Sequence, residues 1–159
     1  MNCMKRILSI IAFFAFFALH SCEENNTTFP NEADGVYRGK LTVGDYTRDA
    51  GISITENGDS TVDIFFDNVK FAALMPVKID ITLKDIPCSS GEVLSFSAEN
   101  VDPYINKETV PQPGYRFSRV EGTVTGNELL LSAKMASGLA AYVAGKDFFF
   151  RGNCGTTDN

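Results

Sequence analysis

The chain has 159 residues, with 14 Lys and Arg against 20 Asp and Glu, one histidine and no tryptophan. That length suits one ordinary domain, and a formal net charge of −6 excludes the concentrated basic surface that nucleic acid requires. The first predicted element is a basic head, Met1-Asn2-Cys3-Met4-Lys5-Arg6, followed by an apolar run from Ile7 to Leu19 broken only by Ser9. A membrane-crossing helix needs about 20 apolar residues. This run is too short to span and has the form of a secretory signal.

Leu19-His20-Ser21-Cys22 then resembles the lipobox of bacterial lipoproteins, although His20 stands where that family usually has a small residue. The resemblance implies cleavage before Cys22, acylation of its thiol with palmitate-like chains, and a lipid anchor in the outer membrane. Each buried CH₂ of such a chain contributes about 0.8 kcal/mol, so several chains hold a domain durably. Glu23 and Glu24 are similar to surface-export signals of some lipoproteins, which leaves the periplasmic face and the cell surface both open. The expected organisation is a signal peptide over 1–21, a flexible tether over 22–34, a folded domain over 35–154 and a polar tail over 155–159. His20, the single histidine, leaves with the signal.

Without Lys5 and Arg6 the mature chain has 12 basic against 20 acidic residues, a net charge of −8. Anionic head groups repel such a surface, so membrane contact is expected through the lipid alone. Of the mature cysteines, Cys88 and Cys154 remain after Cys22 is acylated. Two cysteines in an exported domain are expected to form one disulfide, contributing about 4 kcal/mol by the chain-entropy model. A metal pair would lack histidine partners and close cysteine spacing.

From residue 35 onward, period-2 alternation recurs between turn signals, which predicts an all-β domain. The strands are centred on Tyr37–Val43, Ile52–Ile54, Val62–Phe66, Val77–Lys84, Leu94–Ala98, Tyr115–Val124, Leu129–Ala133 and Phe148–Phe150. Asn57-Gly58 and Gly126-Asn127 mark tight turns. Tyr115 and Phe117 share one parity while Val120, Gly122 and Val124 share the other, which predicts a bulge near Ser118-Arg119. Eight antiparallel strands in chain order can bring the last to the first and remove both edges, giving an up-and-down β-barrel.

The run from Gly35-Val36-Tyr37-Arg38-Gly39-Lys40-Leu41 through Val120-Glu121-Gly122-Thr123-Val124 to Phe150-Arg151-Gly152 resembles the calycin-like barrels of exported bacterial lipoproteins. The Gly-x-Trp signature of true lipocalins is absent. If the first strand runs away from the membrane, the tethered end holds Asn57-Gly58, Asp85–Gly91 and Gly126-Asn127. The far end then holds the longer connections Gly44–Asp49, Asn68–Met75, Val101–Gly114 and Ala136–Lys146. Both Cys88 and Cys154 fall at the tethered end.

The mature chain's lack of histidine removes Ser-His-Asp, Cys-His and His-metal mechanisms. Asp63, Asp67, Asp80 and Glu121 remain as candidates for a carboxylate-based hydrolase, but each lies opposite apolar positions and reads as an outer-face charge. No catalytic residue, metal site or cofactor is expected. Two binding readings are left. In one, a small apolar ligand sits inside the barrel, lined by Leu41, Ile54, Ile64, Phe66, Ile79, Ile81, Phe96, Phe117, Leu131 and one side of Phe148-Phe149-Phe150. Plain core packing competes for the same residues. In the other, the barrel is a scaffold, and its long loops (Val101–Tyr115 and Leu139–Val143 among them) meet a protein partner.

Overall fold

In a computed structural model, residues 35–136 and 143–154 are described. The signal peptide, Cys22, the tether, the loop residues Leu139–Tyr142 and the tail 155–159 lie outside the described residues. Nine strands form one sheet: β1 Val36–Val43, β2 Tyr46–Asn57, β3 Thr61–Val69, β4 Ile79–Ser89, β5 Leu94–Val101, β6 Tyr104–Ile105, β7 Phe117–Thr125, β8 Glu128–Met135 and β9 Asp147–Asn153. Eight of them close a ring in the order β1-β2-β3-β4-β5-β7-β8-β9, every pair antiparallel. The fold is therefore the expected eight-stranded antiparallel barrel. First and last strands join from Arg38↔Asn153 to Val43↔Phe148.

Alternation explains the wall. Tyr37, Leu41 and Val43 of β1 and Phe148 and Phe150 of β9 are buried, while Arg38 and Lys40 between them are exposed. The outer face carries ion pairs such as Lys40–Asp49 at 2.7 Å and Arg151–Glu128 at 2.6 Å. An apolar inside and a charged outside invert the pattern of a membrane-spanning barrel, whose lipid face must be apolar.

Closure depends on glycine. Gly39 and Gly152 face each other across β1 and β9. A Cβ at Gly39 would stand 2.0 Å from the Arg151 carbonyl oxygen, and one at Gly152 would stand 2.4 Å from the Phe150 ring. Only glycine lets the two strands approach and curl this tightly.

The bulge lies where parity placed it: the register of β7 with β8 shifts between Phe117↔Met135 and Arg119↔Lys134. Three features differ from expectation. β4 begins at Ile79 and continues to Ser89, past a left-handed Asp85 (φ 56°), so the base connection is Ser90–Val93. The first far-end connection shrinks to Gly44-Asp45, because pairing extends to Val43↔Tyr46. Finally β6, inside the stretch read as a loop, adds to the upper half of β4 through Ile81↔Ile105 and Thr82↔Tyr104.

Candidate functional site at the barrel mouth

The ends differ as parity predicts. The base has short connections, at Gly58–Ser60, Ser90–Val93 and Gly126-Asn127, and the mouth carries three of the long ones. The Lys70–Lys78 connection contains seven successive apolar residues, Phe71-Ala72-Ala73-Leu74-Met75-Pro76-Val77. They divide by direction. Phe71 and Met75 turn inward and are buried, with the Phe71 amide donating to Met75 Sδ at 3.5 Å. Leu74 and Val77 point out, 79% and 59% exposed.

Phe71 plugs the mouth. Its ring packs edge-on against Phe66 of β3 (centroids 6.5 Å apart) and Phe148 of β9 (4.9 Å), and Phe148 packs edge-on against Phe117 of β7 (5.8 Å). This geometry suits aromatic quadrupoles. It carries an aromatic chain across the upper interior, from one wall towards the opposite one. Ile105 and Val143 are also buried. The nine residues nominated as a ligand lining, Leu41, Ile54, Ile64, Phe66, Ile79, Ile81, Phe96, Phe117 and Leu131, all belong to one buried cluster, each at most 6% exposed. The structure brings them together as core. Of the Phe triplet, Phe148 and Phe150 face in while Phe149 faces out, 51% exposed.

The Asp102–Arg116 connection is held at both ends. Arg116 grips Asp102 with two parallel bonds, Nε to Oδ1 at 2.6 Å and Nη2 to Oδ2 at 2.9 Å. Hydrogen bonding to this guanidinium holds the Asp102 carboxyl below the usual aspartate range and raises Arg116. Inside the loop the Gln112 amide donates to the Pro103 carbonyl at 2.7 Å, and Lys84 Nζ lies 4.6 Å from the Tyr104 ring centre. Val110 projects from the loop, 63% exposed. Rigid, apolar-tipped loops of this kind bind at low entropic cost.

Two carboxylates singled out as outer-face charges have structural roles that alternation did not reveal. Asp80 Oδ1 accepts the amide of left-handed Asn68 at 2.9 Å, and the Asp80 amide donates to Asn106 Oδ1 at 3.1 Å, tying β6's exit to β4. Asp63 Oδ1 accepts from the Asp85 amide and from Asn57 Nδ2, both at 2.9 Å. Asp67 and Glu121 are exposed. The available signal was Asn and Asp next to strand irregularities, the residue types that tolerate left-handed backbone.

The expected Cys88–Cys154 disulfide is not formed, because Cys88 carries a free thiol. Both residues lie at the base, as expected. But β4 and β9 are four strand positions apart whichever way the ring is followed, on opposite walls. A disulfide needs Cα atoms within about 7 Å, and adjacent strands alone take up about 4.8 Å. Burial pushes the Cys88 thiol up, and Glu56 and Asp59 add to the effect.

No family model matches the chain, and no curated protein matches it. Among solved structures, it is similar to a Bacteroides fragilis protein provisionally named an outer membrane protein, with a TM-score of 0.51 and 17% identity. The likeness covers 75% of this chain and 50% of that one, so this chain spans about half the neighbour's length. At that identity the likeness is one of fold, a barrel shared with a protein assigned to the cell envelope.

Proposed function

We propose that this chain is a lipid-anchored, exported protein whose calycin-like barrel is a rigid, non-catalytic scaffold that offers its mouth loops to a protein partner. The observation that carries the reading is the division of the Lys70–Lys78 loop. Phe71 and Met75 are locked into the core, and their packing holds Leu74 and Val77 out in water. Exposed apolar side chains on an immobilised loop form a contact patch that a partner can cover at little ordering cost. Against the apolar-ligand reading, a molecule approaching through the mouth meets Phe71 and the aromatic chain below it. The barrel-bearing neighbour from the cell envelope supports the location, and Cys22 supplies the anchor in this reading.

Photo-crosslinking in cells tests it. A crosslinker at position 74 should give a discrete higher-mass adduct, and one at the exposed base position 93 should not. Identical patterns from both sites, or none from 74, would remove the mouth as the contact surface. In the same cells Cys22→Ala should move the protein into the soluble fraction.

A further inference from the structure

The outer wall near the mouth has a feature that the scaffold reading leaves unused. β9 lies between β1 and β8, and pairing aligns Thr42, Phe149, Ser132 and Glu121 in one outward row across four strands. Phe149 is the large apolar side chain of that row and stands half in water. A shallow cleft opens on each side of it. One, of about 300 Å³, is walled by Leu130 and the Gly122 backbone and rimmed by Glu121, Thr123 and Ser132. The other, of about 430 Å³, is rimmed by Thr42, Asp45, Lys146 and Asp147. Phe149 lines both.

We propose that this wall is a carbohydrate platform taking a neutral oligosaccharide, with one sugar ring on each side of Phe149. A pyranose has an apolar C–H face and a rim of hydroxyls. The first suits the electron-rich face of an aromatic ring. The second needs donors and acceptors in the same plane. Asp45, Asp147 and Glu121 accept, Lys146 donates, and Thr42, Thr123 and Ser132 do both. An apolar protein knob would take water from these polar rims and return no hydrogen bonds, at a cost in desolvation. Arg119 stands 3.8 Å from Glu121 and Lys134 3.9 Å from Asp147, so with Lys146 the cations balance the three carboxylates and the rim suits an uncharged sugar. The platform is preorganised: Phe149 sits in a strand paired on both sides, and Thr42 Oγ1 shares a hydrogen bond with Thr47 Oγ1 at 2.9 Å.

Saturation-transfer NMR on the full chain in detergent micelles tests this with maltose, cellobiose, laminaribiose and diacetylchitobiose as probes. At least one disaccharide should receive saturation on the C–H protons of its rings at millimolar concentration. Phe149→Ala should weaken that binding at least about tenfold without changing the melting temperature, and Phe149→Tyr should retain it. The proposal is overturned if no disaccharide receives saturation, or if Phe149→Ala leaves the transfer unchanged. Because the platform lies on the wall, Leu74→Glu should not affect it, which separates its failure from that of the mouth reading.

Discussion

Two seams of the barrel make an instructive pair. Between β1 and β9, whose residues lie at opposite ends of the domain's sequence, the ladder is continuous from Arg38↔Asn153 to Val43↔Phe148. Between β4 and β5, neighbours joined by a four-residue connection, it is limited to Cys88↔Phe96 and Ser89↔Ser95. Asp85 and Asn100 both adopt left-handed backbone where the β4–β5 ladder has stopped. Above them, β6 takes over the free edge of β4. Proximity in sequence therefore does not decide which strands zip fully. Local backbone chemistry decides it: Pro87, the next position above Cys88, has no amide to donate towards β5, and the left-handed residues beyond it turn their peptide groups out of the ladder.

If the glycine pair is what seals the first seam, Gly39→Val should have the largest effect. Its Cβ would overlap a carbonyl oxygen held in the opposite strand, and nothing flexible stands there to move. The expected loss is about 4 kcal/mol or failure to fold, read by urea unfolding. At the second seam, Ile105 is buried where β6 patches β4. Ile105→Ala should cost about 2 kcal/mol, because a two-residue strand has little besides that side chain to hold it. Hydrogen exchange compares the seams directly. Amides of Ser97–Val101 that face β4 should exchange at least about tenfold faster than those joining β1 to β9. Equal protection would remove the contrast. Cys88, at the last zipped position, should react slowly with thiol reagents at neutral pH, because its raised pKa keeps it protonated.

The smallest effect is expected from the Arg116–Asp102 clamp on the loop above the open seam. Asp102 is depressed in the folded state, so the clamp's contribution is complete above the ordinary aspartate value of 3.8. It is lost as pH falls through the lower folded value. Asp102→Asn should therefore destabilise slightly at neutral pH and flatten the acid limb of a pH–stability curve. An unchanged acid limb would show that the clamp adds nothing, as for many partly exposed pairs.

Much of this architecture was legible in the residues. Alternation placed the inward sets of β1, β3 and β8 but left open which side of Phe148-Phe149-Phe150 faces in, and the parity switch at Ser118-Arg119 located the bulge to the residue. Counting strands assigned each connection to its end, although Gly44-Asp45 at the mouth is as short as the turns at the base. The candidate site was less legible. Phe71-Ala72-Ala73-Leu74-Met75-Pro76-Val77 has no period that separates plug from tip. Its split depends on a space above Phe66 and Phe148 that exists only once the barrel has closed. β6 was hidden for a related reason. Two residues beside Pro103 carry too short a pattern to signal a strand, and their pairing was decided by the edge that β4 left open.

The sequence by itself determined which residues face in, how many strands close the wall and which end is tight, because side-chain alternation and turn chemistry act within a few residues. Tertiary structure alone decided what lies opposite what around the ring. Parity specifies height and face but not angular position. That is why two cysteines at one end of the barrel sit on opposite walls, and why Phe149, between two buried phenylalanines, stands in water beside two clefts.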